Sequence, residues 1–389
     1  MRLWQAAVLA ALVGCEGPGT IGNPPDPSGA MSPEWGCVSV NGIQPLCASI
    51  FDPTHASAIP TLGSGNDRKM TWDPWAQRFL SVGLTYSGGA YLEELVGCST
   101  TTSPLDYWQT YNYIPAGNPD QPSLGCAQNL CVVADRSSGQ FLANTVTNLE
   151  SGTGWNPWAF TVTGIEAIAA HSRDGDLSYN YVVSAGGSGF SSVNIQRLGP
   201  SLGLWNAHIP TPTYNDDPIR VGTLNMNQLY TTTQSPLDAY VGSGGAHLFV
   251  LVGVSHGADG CLRIMDFADV GAATFAPTLQ GYADFCLAGS DVWEGALAQN
   301  IDGTLFLVAH CSGPNVPISM CYSYWQGPSR TLQMTFKQEG FGFGSLYRVG
   351  DYATAAPYWP DGGHHIAATT EIGVQGVTNQ GQTWDDLIP

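Results

Sequence analysis

One short pattern recurs six times along this sequence and constrains the fold more than any other feature. In each copy a polar or charged residue opens a short run of small apolar residues, a turn of Asp, Asn, Gly or Pro type follows, and a β-prone strand comes next. The copies are DRKMTWDPWAQRFLSVGLTY, DQPSLGCAQNLCVVAD, GIEAIAAHSRDGDLSYNYVVSA, PIRVGTLNMNQLYTTT, VWEGALAQNIDGTLFLVAH and GDYATAAPYWPDGGHHIAATTE. A repeated strand–turn–strand unit is typical of architectures built from similar small sheets.

The spacing of the copies suggests which architecture this is. The opening residues are separated by 53, 45, 54, 74 and 57 positions, and they are Arg68, Gln121, Glu166, Arg220, Glu294 and Asp351. A four-stranded propeller blade needs about 40–50 residues. We therefore predict an all-β fold, a six-bladed β-propeller, with seven blades as the alternative count. The longest interval is expected to hold a long loop near SPLDAYVGSGG, and a β-sandwich or solenoid is the competing architecture.

Composition and charge support this fold and narrow the partners. The chain has 48 Gly and 26 Pro, and helical periodicity is nearly absent, which argues against a doubly wound α/β fold. Its net charge of −19 repels nucleic-acid phosphates and anionic lipid headgroups. We therefore expect no nucleic-acid partner, and we expect a monomer.

The N-terminus has the pattern of an export signal. One positive charge, Arg2, precedes an apolar run at residues 6–13 that is far shorter than the roughly 20 residues of a spanning helix. The following Leu12-Val13-Gly14-Cys15 resembles the lipobox of bacterial lipoproteins. The resemblance implies that Cys15 becomes the lipidated N-terminus, and Glu16 in place of Asp favours the outer membrane over the inner one. The alternative is an ordinary signal peptide.

These features divide the chain into four parts. We predict a lipoprotein signal peptide at 1–14, a lipid-anchored Pro/Gly-rich linker at 15–36, a lead-in segment at 37–60 and the propeller at 61–389. The folded part would then lie outside the cytoplasm, attached to the bacterial cell envelope.

Export makes disulfides the default state of the remaining nine cysteines. Short separations favour Cys37 with Cys47, Cys261 with Cys286 and Cys311 with Cys321. Three further cysteines then compete for one bond and leave one thiol over; they are Cys98, Cys126 and Cys131. No Cys/His spacing suits zinc, so we interpret the cysteines as structural.

A second resemblance lies near the C-terminus. The segment VTNQGQTW, residues 377–384, resembles a degenerate Asp-box of sialidase-like propellers, because Gly381, Thr383 and Trp384 match that hairpin motif. Asn379 stands in place of its Asp and can make the same turn hydrogen bond. The resemblance implies a propeller over about residues 60–389, and the box itself is structural. The sialidase F/Y-R-I-P motif is absent.

In a propeller the residues that open the innermost strands face the channel mouth. The six openers would therefore form a ring of alternating cations and anions, with Tyr352 beside Asp351. Glu166, Glu294, Asp351 and Tyr352 are the candidate catalytic groups, and Arg68, Gln121 and Arg220 are the candidate ligand-binding groups. We expect no cofactor or metal, with calcium near Asp174 and Asp176 as the alternative.

Three functions compete for this ring. The preferred one is binding of a carbohydrate or an extracellular protein at the channel mouth, with aromatic side chains stacking on sugars; the candidates are Trp72, Trp155, Trp158, Trp293 and Trp359. The alternative is a sialidase-like glycoside hydrolase, because such enzymes need two acidic groups across the scissile bond. The third is purely structural, with ring charges pairing to fill the channel.

Overall fold

The computed structural model describes most of the chain after residue 27. The described residues are 28–39, 44–59, 61–62, 65–87, 90–113, 119–152, 157–214, 236–314, 316–325, 335–339, 353–358, 362–372 and 382–388. Within them the chain forms seven antiparallel sheets, each running outwards from its first strand in chain order. We number these sheets as blades 1 to 7.

Blades 1 and 2 precede the short helix α1, and blade 3 contains it. Their elements are β1 (Ser28–Met31), β2 (Trp35–Ser39), β3 (Leu46–Ser49), β4 (Asp52–Ala58), β5 (Asn66–Asp73), β6 (Arg78–Ser87), β7 (Ala90–Ser99), β8 (Trp108–Tyr113), β9 (Ser123–Ala127), β10 (Leu130–Ala134), β11 (Gln140–Thr145), α1 (Val146–Ser151) and β12 (Trp158–Thr161). Four strands form each blade, and α1 lies between the last two strands of blade 3.

Blades 4 to 7 continue the same plan, although blade 7 has three strands in the described residues. Their elements are β13 (Ile165–Ala169), β14 (Asn180–Ala185), β15 (Ser192–Leu198), β16 (Leu204–Pro210), β17 (Asp238–Val241), a 3₁₀ turn (Ser243–Gly245), β18 (His247–His256), β19 (Asp259–Ala268), β20 (Thr278–Phe285), β21 (Asp291–Gln299), β22 (Leu305–Gly313), β23 (Val316–Trp325), β24 (Thr335–Glu339), β25 (Thr354–Pro357), β26 (Ile366–Ile372) and β27 (Gln382–Ile388).

The first strands of the blades meet around a common axis. Contacts run from β1 to β5, and on through β9, β13, β17, β21 and β25, which closes the ring on β1. The prediction of an all-β propeller is therefore confirmed. Five of the six repeats coincide with the first two strands of a blade, namely of blades 2, 3, 4, 6 and 7. The fourth repeat lies within 215–235, outside the described residues.

Two parts of the ring were not expected from the repeat. Residues 28–58 form blade 1, so the propeller begins before the predicted boundary at residue 61 and includes segments assigned to the linker and lead-in. This sheet, the five blades that coincide with repeats and blade 5 make seven sheets in the described residues, which is the alternative count. The SPLDAYVGSGG segment contains β17, the innermost strand of blade 5, rather than a long loop.

The described residues contain no helix that is long and apolar enough to cross a membrane. Cys15 and the predicted signal peptide lie outside them, as does most of the Asp-box segment. Of that segment only residues 382–384 are described, and they begin β27, the third strand of blade 7.

Apolar side chains from facing sheets pack between neighbouring blades. One cluster joins blades 4 and 5 through residues such as Val183, Ile195 and Val250, and another joins blades 5 and 6 through Leu251, Leu297 and Leu307. Strands buried on both faces carry long apolar runs, as LFLVA at the start of the fully buried β22 illustrates. The sheets are therefore held to each other mainly by burial of apolar surface.

Four disulfides tie adjacent strands. Three of them confirm the predicted pairs, Cys37–Cys47, Cys261–Cys286 and Cys311–Cys321. The fourth joins Cys126 to Cys131 across the β9–β10 hairpin, so Cys98 is the thiol left over, and it is buried. Multiple disulfides are typical of proteins outside the cytoplasm.

Candidate functional site in the central channel

A channel of about 1080 Å³, open space at its mouth included, runs between the innermost strands. All seven blades line it, and Arg136 joins them from the loop after β10. The lining residues of the blades are Ser28–Met31, Lys69–Trp72, Gln121–Leu124, Ile168, Ala169, His171–Arg173, Leu237, Asp238, Tyr240, Glu294–Ala296 and Ala353–Pro357. A concave site lined by a few convergent polar groups is the kind of place where proteins bind small ligands.

Four innermost strands share an unusual backbone feature at the opener level. A non-glycine residue has positive φ at Asp67 (47°), Gln121 (46°), Glu166 (57°) and Glu294 (42°). In blades 2, 4 and 6 it coincides with a β-bulge against the second strand. Bulges redirect side chains at strand ends, and positive φ costs a non-glycine residue of order 1 kcal/mol or more. In these four blades the position at which the repeat opens is therefore marked by its backbone conformation.

Two of the predicted site residues line the channel. Gln121 and Glu294 both do so, and both are buried. They stand at the positive-φ position of blades 3 and 6, so these two openers lie at the channel wall.

Arg68 has a different environment. The bulge residue of blade 2 is Asp67, and Arg68 beside it is buried against the sheet, where its Nη1 donates to Ser81 Oγ at 2.7 Å. Burial lowers the pKa of Arg68 to about 10. Arg68 is not among the described residues that line the channel, which fits a structural role better than ligand binding.

The other predicted site residues are not brought to the channel by the described part of the chain. Glu166 is half-buried at the bulge of blade 4 but does not contribute to the cavity wall. Arg220, Asp351 and Tyr352 lie outside the described residues. The innermost strand of blade 5 begins at Asp238 in the described residues.

Only one of the expected aromatic side chains borders the channel in the described residues, and it is Trp72. Trp293 is fully buried and stacks on His310, with ring centroids 4.5 Å apart. Trp158 is exposed on β12, the outermost strand of blade 3. Trp155 and Trp359 lie outside the described residues.

In the turn predicted as an alternative calcium site, the Asp174 carboxylate already accepts hydrogen bonds from N–H groups of the protein. Asp174 Oδ1 accepts from Arg173 Nε at 2.8 Å, and Asp174 Oδ2 accepts from the backbone N–H of Gly244 at 3.2 Å. Asp176 is exposed, and its carbonyl oxygen accepts from Gln128 Nε2. The carboxylate of Asp174 therefore joins blades 4 and 5 instead of facing an open site.

A histidine–aspartate pair between blades 4 and 5 is the best-defined polar group of the channel. His171 Nε2 lies 3.0 and 3.1 Å from the two carboxylate oxygens of Asp238. Asp238 also accepts from the backbone N–H of Ala239 at 2.9 Å and of Leu297 at 2.7 Å. The imidazole contacts the Tyr240 ring edge-on at 5.0 Å.

This arrangement fixes the orientation of His171. With Nε2 held by Asp238, the Nδ1 atom has no hydrogen-bond partner in the described part of the chain. The side chain is 26% exposed and lines the cavity, so it remains accessible to a small molecule. An imidazole held by a carboxylate presents its second nitrogen for hydrogen bonding or proton transfer.

Arg136 reaches the channel from a loop rather than from an innermost strand. Asp135 Oδ1 accepts from the N–H groups of Ser137 and Ser138 at 2.8 Å, which closes the turn after β10. Arg136 in that turn is buried and donates from Nη2 to the carbonyl of Leu237 at 3.3 Å. It therefore spans from blade 3 to blade 5 along the cavity wall.

Comparison with known proteins supports the fold. A crystal structure of the mitotic checkpoint complex matches 94% of this chain and 91% of that chain at 12% identity, with a TM-score of 0.51. The likeness is one of fold alone. A protein of unknown function from Dyadobacter fermentans matches 83% of this chain and 78% of its own at 11% identity and a TM-score of 0.41.

A DUF4623 family protein from Bacteroides eggerthii matches 80% of this chain and 71% of its own at 12% identity, with a TM-score of 0.39. No protein-family model matches the sequence, and no curated protein matches it.

Sequence reasoning missed His171, Asp238 and Arg136. His171 lies five residues after the opener Glu166, in the AAHS segment of the third repeat, and Asp238 lies in the segment that was expected to be a loop. The repeat does not point to them, because His171 follows the end of β13, Arg136 lies in the loop after β10, and Asp238 opens a strand that no repeat predicted. The run of small residues before His171 was the available signal, since small side chains leave a channel open.

Proposed function

We propose that this propeller binds a carbohydrate-sized ligand in its central channel. The observation that carries the proposal is the oriented His171–Asp238 pair in a cavity that Gln121 and Glu294 also line. Amide, carboxylate and imidazole groups together can accept from and donate to sugar hydroxyls. Trp72 and Tyr240 add aromatic surface to the same wall.

Binding fits the channel better than glycoside hydrolysis does. Hydrolysis needs two carboxyl groups placed across the scissile bond. In the described part of the channel the two carboxylates are Glu294 and Asp238, and both oxygens of Asp238 already accept N–H groups. Asp238 is therefore suited to orienting His171 rather than to attacking a substrate.

The test is a glycan-array screen followed by titration calorimetry. Both use the chain without its predicted signal peptide, with Cys15→Ser so that no lipid can be attached. We expect a defined subset of glycans to bind, and His171→Ala to weaken their binding at least tenfold, because it removes a fixed polar contact. His364→Ala is the matched control, since His364 forms an exposed pair with Asp302 outside the channel lining.

Two outcomes would contradict the proposal. One is that no glycan binds, and the other is that glycans bind equally well to the His171→Ala protein. Release of a reducing sugar during the titration would favour the hydrolase instead, and capture of a protein by the wild type but not by the His171→Ala variant would favour a protein partner.

We also propose that Cys15 carries a lipid in the cell envelope. Ser28 opens β1, and its Oγ accepts from the N–H of Met70 in the neighbouring innermost strand at 3.0 Å. Residues 16–27 could span at most about 40 Å, so a lipid on Cys15 would keep the opener end of the channel near the membrane. Labelling with an alkyne fatty acid should mark the wild type and not Cys15→Ser; equal labelling of both would refute the anchor.

A further inference from the structure

We infer that the Cys126–Cys131 disulfide is redox-active, that it exchanges with a dithiol reductant, and that the carboxyl group of Asp73 is its proton donor. The basis is one cluster of side chains: a carboxylate oxygen of Asp73 and the two sulfur atoms all lie within 4.8 Å of one another. In the part of the chain that the structure describes, no other disulfide has a carboxylate or an imidazole that close to both of its sulfurs. None of the three residues lines the described channel, so this site is separate from the proposed ligand site.

Asp73 is placed at a cost that its role in the turn does not explain. It ends β5 of blade 2, it is 1% exposed, and its Oδ1 holds the turn by accepting from the N–H of Trp75 at 2.9 Å. Its Oδ2 has no hydrogen-bond partner in the described residues. A buried polar atom without a partner destabilises the fold, and titratable groups perturbed by burial are concentrated at functional sites.

The two sulfur atoms differ in their access to solvent. The cysteines face each other on β9 and β10 of blade 3; Cys131 is 3% exposed within an apolar cluster, whereas Cys126 is partly exposed beside the turn that joins the two strands. An attacking thiolate can therefore reach Cys126 Sγ more easily, which makes Cys131 the leaving group. A thiolate released into a buried apolar cluster is poorly solvated, so a proton donor beside it favours the exchange.

A third cysteine lies in the same cluster but does not compete. Cys98 packs with Cys131 between blades 2 and 3, and burial raises the pKa of its thiol to about 12. Because the thiolate is the nucleophile in disulfide exchange, Cys98 stays unreactive. The site therefore has two reacting cysteines.

The exchange is a two-electron transfer from the dithiol to the protein. One thiolate of the dithiol attacks Cys126 Sγ, the S–S bond breaks with its electron pair on Cys131 Sγ, and Asp73 gives that sulfur its proton, directly after a small movement or through one water. The second thiolate of the reductant then attacks the reductant sulfur in the mixed disulfide. This step releases Cys126, which takes a proton from solvent, and closes the disulfide of the reductant. Asp73 recovers its proton from solvent.

Burial is the main influence on the protonation of Asp73. The titratable and charged groups of the elements packed around it are Cys98 on β7, Arg78 on β6, Glu150 on α1, and Asp174 and Asp176 on either side of Gly175, which contacts Trp75. Arg78 pairs with Glu150 at 2.8 Å, Asp174 pairs with Arg173, and Asp176 is exposed. Desolvation raises the pKa of Asp73 to about 6, so it can hold a proton in mildly acidic solution.

The experiment follows the reduction of each disulfide by dithiothreitol, using the chain without its predicted signal peptide and with Cys15→Ser. Samples are quenched with iodoacetamide, and the alkylated peptides are quantified by mass spectrometry. Cys261–Cys286 is the control within the same molecule, because it also joins a buried cysteine to a partly exposed one and has no such carboxylate. At about pH 5 we expect Cys126–Cys131 to be reduced about tenfold faster than Cys261–Cys286.

Asp73→Asn should remove most of that advantage, and it keeps the oxygen that accepts from Trp75. The difference between wild type and variant should be largest at about pH 5, where the carboxyl is mostly protonated, and should be lost by about pH 8, where it is ionised. Slower reduction caused only by greater stability of the variant would show the opposite trend, because the buried charge that Asn removes is present above about pH 6. Asp302→Asn, at a side chain that is 60% exposed, should change neither rate.

Three outcomes would overturn the inference. The first is that Cys126–Cys131 is reduced no faster than Cys261–Cys286 in the wild type, a comparison that needs no variant. The second is that Asp73→Asn and the wild type are reduced at the same rate at about pH 5. The third is that Asp73→Asn slows both disulfides equally, which would indicate a change in stability. None of these outcomes bears on ligand binding in the channel, which the glycan measurements test separately.

Discussion

Replacing Arg197 with alanine should lower the free energy of unfolding by about 3–4 kcal/mol, the largest loss we expect from a single substitution outside the channel. Arg197 on β15 is fully buried, and its guanidinium carbon lies 4.2, 4.6 and 4.5 Å from the ring centroids of Tyr179, Trp205 and Phe275. Three aromatic faces around one cation are strongly stabilising where water is excluded.

The hydrogen bonds of Arg197 are a second reason why alanine should destabilise the fold at this position. Nη1 donates to the carbonyl oxygens of Val270 and Ala272, which ties blade 4 to the loop after β19. Nε and Nη2 have no hydrogen-bond partner in the described residues, so the ring faces take the place of polar partners. Alanine removes the cation, the two hydrogen bonds and most of the buried volume together.

Urea unfolding followed by tryptophan fluorescence measures this effect. Arg197→Lys should recover less than half of the loss, because an ammonium lacks the planar surface that stacks between rings. Arg78→Ala is the control, since Arg78 is partly exposed and its ion pair with Glu150 should contribute only about 0.5 kcal/mol. An Arg197→Ala protein within 1 kcal/mol of the wild type would show that the aromatic cage contributes little.

Replacing Asp73 with asparagine should stabilise the protein by about 2 kcal/mol at pH 8. Asp73 ends β5 and is buried; its Oδ1 accepts from the N–H of Trp75, whereas Oδ2 has no hydrogen-bond partner in the described residues. Burial raises the pKa of Asp73 from 3.8 to about 6, despite backbone hydrogen bonds that act in the opposite direction. Asparagine keeps the turn and removes the buried charge.

The raised pKa of Asp73 sets the direction of the pH dependence. The folded protein holds this proton more tightly than the unfolded chain does, so the protonated carboxyl stabilises the fold below pH 3.8. That contribution is lost as the pH rises through about 6. The advantage of Asp73→Asn should therefore be largest above about pH 6 and should nearly vanish below pH 3.8.

Unfolding curves at pH 4, 6 and 8 check the prediction, with Asp302→Asn as the control. The Asp302 side chain is 60% exposed, so its substitution should change stability little at pH 6 and 8. An advantage of Asp73→Asn that is the same at all three values would mean that the carboxyl is not desolvated. A loss of stability at pH 8 would mean that the charged form has a partner in the folded protein.

The local units of this protein were readable in the sequence. Each innermost hairpin combines small apolar residues with a turn, as in blade 3, where Gln121 precedes Cys126 and Cys131 of adjacent strands. Three disulfides joining cysteines 10 or 25 positions apart were predicted for the same reason. Strand, turn and short-range crosslink preferences depend on neighbours along the chain, so the sequence contains them directly.

The sequence alone thus determined an all-β ring of repeated blades and the short-range disulfides. Tertiary structure decided that residues 28–58 close the ring as blade 1, since closure depends on the curvature of the whole assembly. It also decided the site: a bulge places Asp67, not Arg68, at the opener position. His171 meets Asp238 across 67 positions because two blades pack side by side, and no local preference encodes that distance.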